Sequence, residues 1–140
     1  MLKVEKTMAT VLITGTNRGL GLEFVKRFLK QGDQVIATCR DSSQAPKLLA
    51  LVDTNTSLSL MNLDVSDEQS IAGFASALGD TAIDIFINNA GVYGPRDANF
   101  GKVQSADWES VLKVNAISPL LLTQQIINNL RSGHARKLVY

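Results

Sequence analysis

The chain has 140 residues, with 14 Lys and Arg against 13 Asp and Glu and a net charge of +1, which is the size of one ordinary domain. Its apolar share of 45% and charged share of 19% are those of a globular protein able to bury a core. Near-neutral charge without a basic cluster argues against nucleic acid and anionic membrane as partners. A single cysteine, Cys39, allows no internal disulfide and suits a reducing cytoplasmic setting, and no apolar run reaches the length of a bilayer span.

Residues 1–9 carry Lys3, Glu5 and Lys6 without an apolar core and read as a mobile leader, with Met8 as an alternative start. Thr10-Val11-Leu12-Ile13 is a short β-branched and aliphatic run, the pattern of a fully buried strand. Behind it stands Thr14-Gly15-Thr16-Asn17-Arg18-Gly19-Leu20-Gly21, the stretch around which the chain is organised. Leu20, Phe24 and Phe28 (or Leu29) then share one face of a helix. A strand, a glycine turn and a helix in that order is the context for a dinucleotide: glycines let the backbone approach phosphate oxygens, which meet free N–H groups at the helix start.

Gly32 closes that helix, and Gln34 to Cys39 forms a second strand. Gln44 to Val52 has helical spacing with Pro46 in the first turn. Ser57 to Leu63 alternates polar and apolar residues, as at a sheet edge. Ser66-Asp67-Glu68-Gln69 is a capping-box pattern that opens a helix running to about Leu78. Ile83 to Ile87 is a fourth strand, ending in Asn88-Asn89-Ala90-Gly91. After a loop from Gly94 to Gly101, one long helix is expected from Ala106 to Leu130, apolar on nearly every side between Val111 and Leu122 and therefore covered all round. Lys137 to Tyr140 begins a fifth strand. Alternating strands and helices predict an α/β fold, a doubly wound parallel sheet over 10–140, with ligands at the carboxyl ends of the strands.

Four segments in order give the chain a resemblance to the short-chain dehydrogenases/reductases, most of all to the sniffer and C-factor type of carbonyl reductase. They are Thr14 to Gly21, Asn62-Leu63-Asp64-Val65, Asn88 to Gly91 and Val114-Asn115-Ala116. The resemblance implies a Rossmann-like domain in which Gly15, Gly19 and Gly21 cradle the pyrophosphate, with Asn17, Arg18 and Leu20 of the same turn also binding the cofactor. Asp64 and Val65 would hold the adenine, and Asn89, Ala90 and Gly91 would line the ribose. It also implies that the Asn115 backbone carbonyl holds a water in a proton relay. Pro119, four residues on, has no N–H to give that carbonyl.

Charge points to the form of the cofactor. An acidic residue about 20 positions past the turn would repel a 2′-phosphate; here Cys39 stands there with Arg40 beside it, and Arg18 adds a second guanidinium. NADP(H) is favoured over NAD(H). The family's catalytic Ser and Tyr-x-x-x-Lys would follow the fifth strand and do not occur before Tyr140. Neither Tyr93 nor Tyr140 has a Lys four residues on, and no metal cluster is evident. The sequence thus predicts the cofactor-binding part of a carbonyl/alcohol oxidoreductase, truncated at the fifth strand and inactive alone. A non-catalytic nucleotide-binding or signalling module is the alternative. With its fourth strand open on one side and the 106–130 helix bare, the chain is expected to form a homo-oligomer.

Overall fold

The computed structural model describes residues 7–140, so positions 1–6 of the expected leader lie outside the described residues. The leader does not extend to residue 9. Ala9 donates its N–H to Asp33 Oδ1 (3.1 Å) and accepts from Gln34 N–H (2.8 Å), and Met8 Sδ accepts from Gln34 Nε2 at 3.7 Å, so both are tied to the sheet.

Five strands form one parallel sheet in the order β3-β2-β1-β4-β5. They are β1 Thr10–Ile13, β2 Gln34–Cys39, β3 Leu58–Asn62, β4 Ile85–Ile87 and β5 Lys137–Val139. Period-two alternation in β1 explains why the sheet has two cores. Val11 and Ile13 face one side, with Leu22 and Val25 of α1 (Gly19–Lys30) and Leu48 of α2 (Pro46–Val52). Leu12 faces the other, with Ile71, Phe74 and Leu78 of α3 (Glu68–Leu78) and with Leu122, Ile126 and Leu130 further along. The architecture is Rossmann-like, and the order of strands reverses between β1 and β4.

Local chemistry sets most boundaries where the residues demand them. Pro46 occupies the first helical position of α2, where its missing N–H costs nothing. Gly32, at φ +83°, turns the chain after α1. The capping box is displaced by one residue: Asp67, not Ser66, caps α3 by accepting from Gln69 N–H. Ser66 instead gives both its N–H and its hydroxyl to Asp64 Oδ1 (2.9 and 2.6 Å), an ionised acceptor stronger than a helix terminus.

The single helix expected over 106–130 is three pieces, α4 Ser105–Leu112, α5 Ser118–Gln125 and α6 Ile127–Ser132. A π turn, Lys113–Ile117, joins the first two. Pro119 cannot donate to residue 115, and the ladder widens so that Ser118 N–H reaches back to Lys113 O. Nor is this region covered all round. Val114, Leu122, Ile126 and Leu130 are buried, whereas Leu112, Ile117 and Leu120 face outward, Leu120 being 65% exposed. The stripe on α1 also differs from the expected one. Leu22 and Val25 are buried, and Leu20 is 70% exposed. The fourth strand is not an open edge, because β5 pairs with it from Ile85↔Lys137 to Ile87↔Val139; the edges are β3 and β5. No described helix is long and apolar enough to cross a membrane.

Asp84, just before β4, ties both neighbouring segments to it. Its Oδ2 accepts from Thr10 N–H (2.8 Å) and its Oδ1 from His134 N–H (2.6 Å). The carboxyl is held below the ordinary aspartate range, first by the Thr10 bond and against the opposing effect of burial. Because the folded pKa is depressed, the stabilisation is complete above the unfolded value of about 3.9 and is lost as pH falls through the folded one. Asp84→Asn is expected to lower stability at neutral pH by about 1–3 kcal/mol. It should also flatten the acid limb of a series of urea midpoints taken from about pH 5 downward. Parallel acid limbs for the two proteins would contradict this role.

Candidate functional site

The carboxyl ends of β1, β2, β3 and β4 open into one cleft of about 1140 Å³, at or above the upper end of the range typical of small-molecule sites. Its wall includes Gly15, Asn17, Arg18, Gly19 and Leu20 after β1, and Arg40 after β2. Asp64 and Val65 after β3, and Asn89, Ala90 and Gly91 after β4, complete it. A smaller hollow of about 270 Å³, with Thr10, Gln34 and Thr81 at its rim, lies at the opposite end of the strands. The larger cleft is at the reversal point, where such sheets bind ligands.

Beneath the cleft lies the fully buried Thr14, to which the sequence reading gave no separate role. Its hydroxyl accepts from Asn89 N–H (3.1 Å) and Ala90 N–H (3.0 Å) and donates to Asn88 Oδ1 (3.2 Å). Asn89 returns two bonds through Nδ2, to Thr14 O and Gly15 O (3.0 Å each). These bonds lock the turn after β1 to the turn after β4, and Gly15 packs on Ala90 so closely that a Cβ would lie 2.8 Å from its Cα. On the other side Thr16 binds Thr38 O through both N–H and hydroxyl (3.0 Å each). The sequence reading had Thr14 at the head of the glycine turn but gave it no role of its own; its place directly before the first glycine was the available signal.

Gly15 and Gly19 have φ of +68° and +58°, a region that favours glycine. Arg18 is the residue before α1, and no side chain caps that helix. Its first-turn N–H groups and positive dipole end are therefore left for an anion. Gly21 does not line the cleft; it is buried beneath the turn, where a Cβ would meet Gly15 O and Asn89 Nδ2. It packs the start of α1 against the turn.

At the far end of the cleft, Asp64 Oδ1 is occupied by Ser66. The Ser66 hydroxyl holds the Asp64 carboxyl below its ordinary range, with burial opposing and Arg40 and Lys113 adding positive charge nearby. Asp64 is thus an anion whose Oδ2 is the remaining acceptor. Cys39 also lines the cleft, and burial pushes its thiol pKa up, the behaviour of a packing thiol.

Asn115 is not on the cleft wall, although its neighbour Val114 is. The Asn115 side chain grips the backbone of Val92, accepting from its N–H (2.9 Å) and donating to its carbonyl (2.8 Å). Tyr93 and Arg96 enter the wall from the same loop. Tyr93 is fully exposed, while the Tyr140 hydroxyl pairs with Thr123 Oγ1 at 2.9 Å. No described group of three His, Cys, Asp or Glu is arranged to hold a metal.

A family model described as short chain dehydrogenase matches residues 9–139. The chain belongs to that family. Among its relatives, the short chain dehydrogenase gsfK of Penicillium aethiopicum is 38% identical over 133 residues, covering 91% of this chain and 52% of that protein. An NADPH-bound carbonyl reductase from chicken fatty liver superposes with a TM-score of 0.83 at 33% identity, covering 91% of this chain and 50% of the other. The carbonyl reductase Sniffer of D. melanogaster gives 0.82 at 28% identity, over 90% and 53%. The chain spans about half the length of these short-chain dehydrogenases and reductases.

Proposed function

We propose that this chain is the NADP(H)-binding part of a short-chain oxidoreductase that moves hydride between the dinucleotide and a carbonyl or alcohol. The observation that carries the reading is the cleft itself. An uncapped helix start, two guanidinium groups (Arg18 and Arg40) and the anionic Asp64 share one wall, with Cys39 where an acidic residue would exclude a 2′-phosphate.

Each group has a role in holding that cofactor. The first-turn N–H groups after Gly19 take the pyrophosphate, and Gly15 lets the backbone come close to it. Arg18 and Arg40 take the 2′-phosphate through charge-assisted hydrogen bonds. Asp64 Oδ2 accepts from the adenine amino group, while the backbone of Asn89, Ala90 and Gly91 lines a ribose. Asn115 fixes the loop beyond Gly91. When bound, the cofactor supplies the hydride; proton delivery to the substrate oxygen requires a general acid, worth about 10²–10⁴-fold. No Tyr-x-x-x-Lys pair occurs within these 140 residues, and the role assigned to them is cofactor binding. The outward-facing Leu112, Ile117 and Leu120 are the surface through which it would self-associate.

A fluorescence titration with NADPH and NADH tests this. NADPH should saturate and bind more tightly than NADH. Arg40→Ala should weaken NADPH about 10–100-fold, the loss of a charged hydrogen-bonding group, and leave NADH unchanged. Equal loss for both cofactors would remove Arg40 from the phosphate subsite, and no NADPH binding by folded protein would remove the reading altogether.

A further inference from the structure

Between α4 and α5 the helix carries one residue more than its regular ladder accommodates, and the structure shows what stabilises the excess. In a regular helix Lys113 O would accept from residue 117. Here it accepts from Ser118 N–H, one residue later. The Ser118 hydroxyl donates to the same carbonyl at 2.7 Å, and the residue is 1% exposed. Pro119 supplies no N–H, so Ser118 is the last donor available to the wide turn, and it donates twice. Val114, Ser118 and Leu122 are all buried at four-residue spacing, which anchors the turn from below.

The extra residue has a directional consequence. One residue in a helix is a rotation of about 100°, so the π turn decides where Asn115 points relative to the face buried by α5. It points at Val92, making the two bonds a neighbouring strand would make (2.9 and 2.8 Å). The approach is close: a Cβ on Gly91 would lie 3.3 Å from Asn115 Oδ1. Gly91 and Val92 are both cleft wall.

We propose that Ser118 is a positioning residue for this end of the cleft: its hydroxyl fixes the π turn, the turn aims Asn115, and Asn115 holds the Gly91–Val92 wall in place. The consequence for NADPH rests on the function proposed above; the consequence for the wall does not. The plain alternative is that Ser118 merely fills a small buried position.

The deciding experiment is amide hydrogen exchange on the unliganded chain as wild type, Ser118→Ala and Ser118→Thr, with NADPH and adenosine 2′,5′-bisphosphate titrations alongside. Ser118→Ala should speed exchange at the Val92 amide up to about tenfold, the equilibrium equivalent of one net hydrogen bond. The amides of Leu12 and Phe86 in the central strands should keep their wild-type rates. Ser118→Thr, which retains the hydroxyl, should restore protection at Val92. NADPH affinity should fall in Ser118→Ala while the bisphosphate, which lacks the nicotinamide half, binds as before. Unchanged Val92 exchange in Ser118→Ala, or a uniform rise that includes Leu12 and Phe86, overturns the proposal. Failure of the wild type to bind NADPH would overturn the proposed function instead, with Val92 exchange still deciding the role of Ser118.

Discussion

Gly21→Ala is expected to cost about 3 kcal/mol of stability and to abolish NADPH binding. The position needs no special backbone angle, since its φ lies outside the left-handed range that Gly15 and Gly19 occupy. The cost comes from volume. A methyl group there would run into Gly15 O and stand 2.6 Å from Asn89 Nδ2 and 3.0 Å from the Gly15 carbonyl carbon. Two of those neighbours are backbone, and the third is the amide that bonds Thr14 O and Gly15 O. Relief therefore requires α1 to move off the turn or Asn89 to release it, and overpacking of this kind typically costs 1–3 kcal/mol, occasionally more.

Two other glycines separate this cause from general glycine effects. Gly19→Ala meets nothing within 4 Å but must hold φ at +58°, which costs roughly 1–2 kcal/mol. Gly73, inside α3, meets nothing within 4 Å and has ordinary helical backbone. Its replacement by alanine should stabilise by roughly 0.5–1 kcal/mol. Urea denaturation of the three variants should rank them Gly73→Ala above wild type, then Gly19→Ala, then Gly21→Ala. A Gly21→Ala midpoint at or above that of Gly19→Ala would show that the turn has room the geometry denies.

The contrast also explains what the sequence could reveal. All five strands were legible for two reasons: the central ones, buried on both faces, are apolar over their length, as Val11 to Ile13 are, and β3 at the sheet edge alternates polar and apolar residues. The resemblance carried by four short motifs, together with the charge argument for Arg18 and Arg40, named eleven residues that line the cleft. It could not separate Gly21, which packs, from Gly15, which lines, since both are glycine for reasons of closeness. The 106–130 segment failed for a different reason. Composition reports that a residue is apolar, not that something covers it, and the π turn depends on a donor balance between Ser118 and Pro119 that no hydrophobic pattern encodes. Thr14, placed at the head of the turn, received no role because a sequence does not show whether its hydroxyl or its methyl is what the position needs.

Thr14→Val puts that last distinction to the test, since it exchanges the hydroxyl for a methyl of similar size. Thr14 is fully buried, and its hydroxyl serves three partners at once. Asn89 N–H has a second acceptor in Ile87 O at 3.1 Å, so it is not orphaned by the change. Ala90 N–H and Asn88 Oδ1 lose the bond Thr14 provides, and each group left unsatisfied costs about 1–3 kcal/mol. A total loss of about 2–6 kcal/mol is expected in urea denaturation. Thr14→Ser keeps all three bonds and gives up one methyl, for which about 1 kcal/mol is the expected cost. The two variants should also part in NADPH affinity, because the hydroxyl pins the turn that carries Gly15 to the turn that carries Ala90, and both residues line the cleft. If valine and serine cost the same, Thr14 matters for its packing alone, and the cleft is held by Asn89 without it.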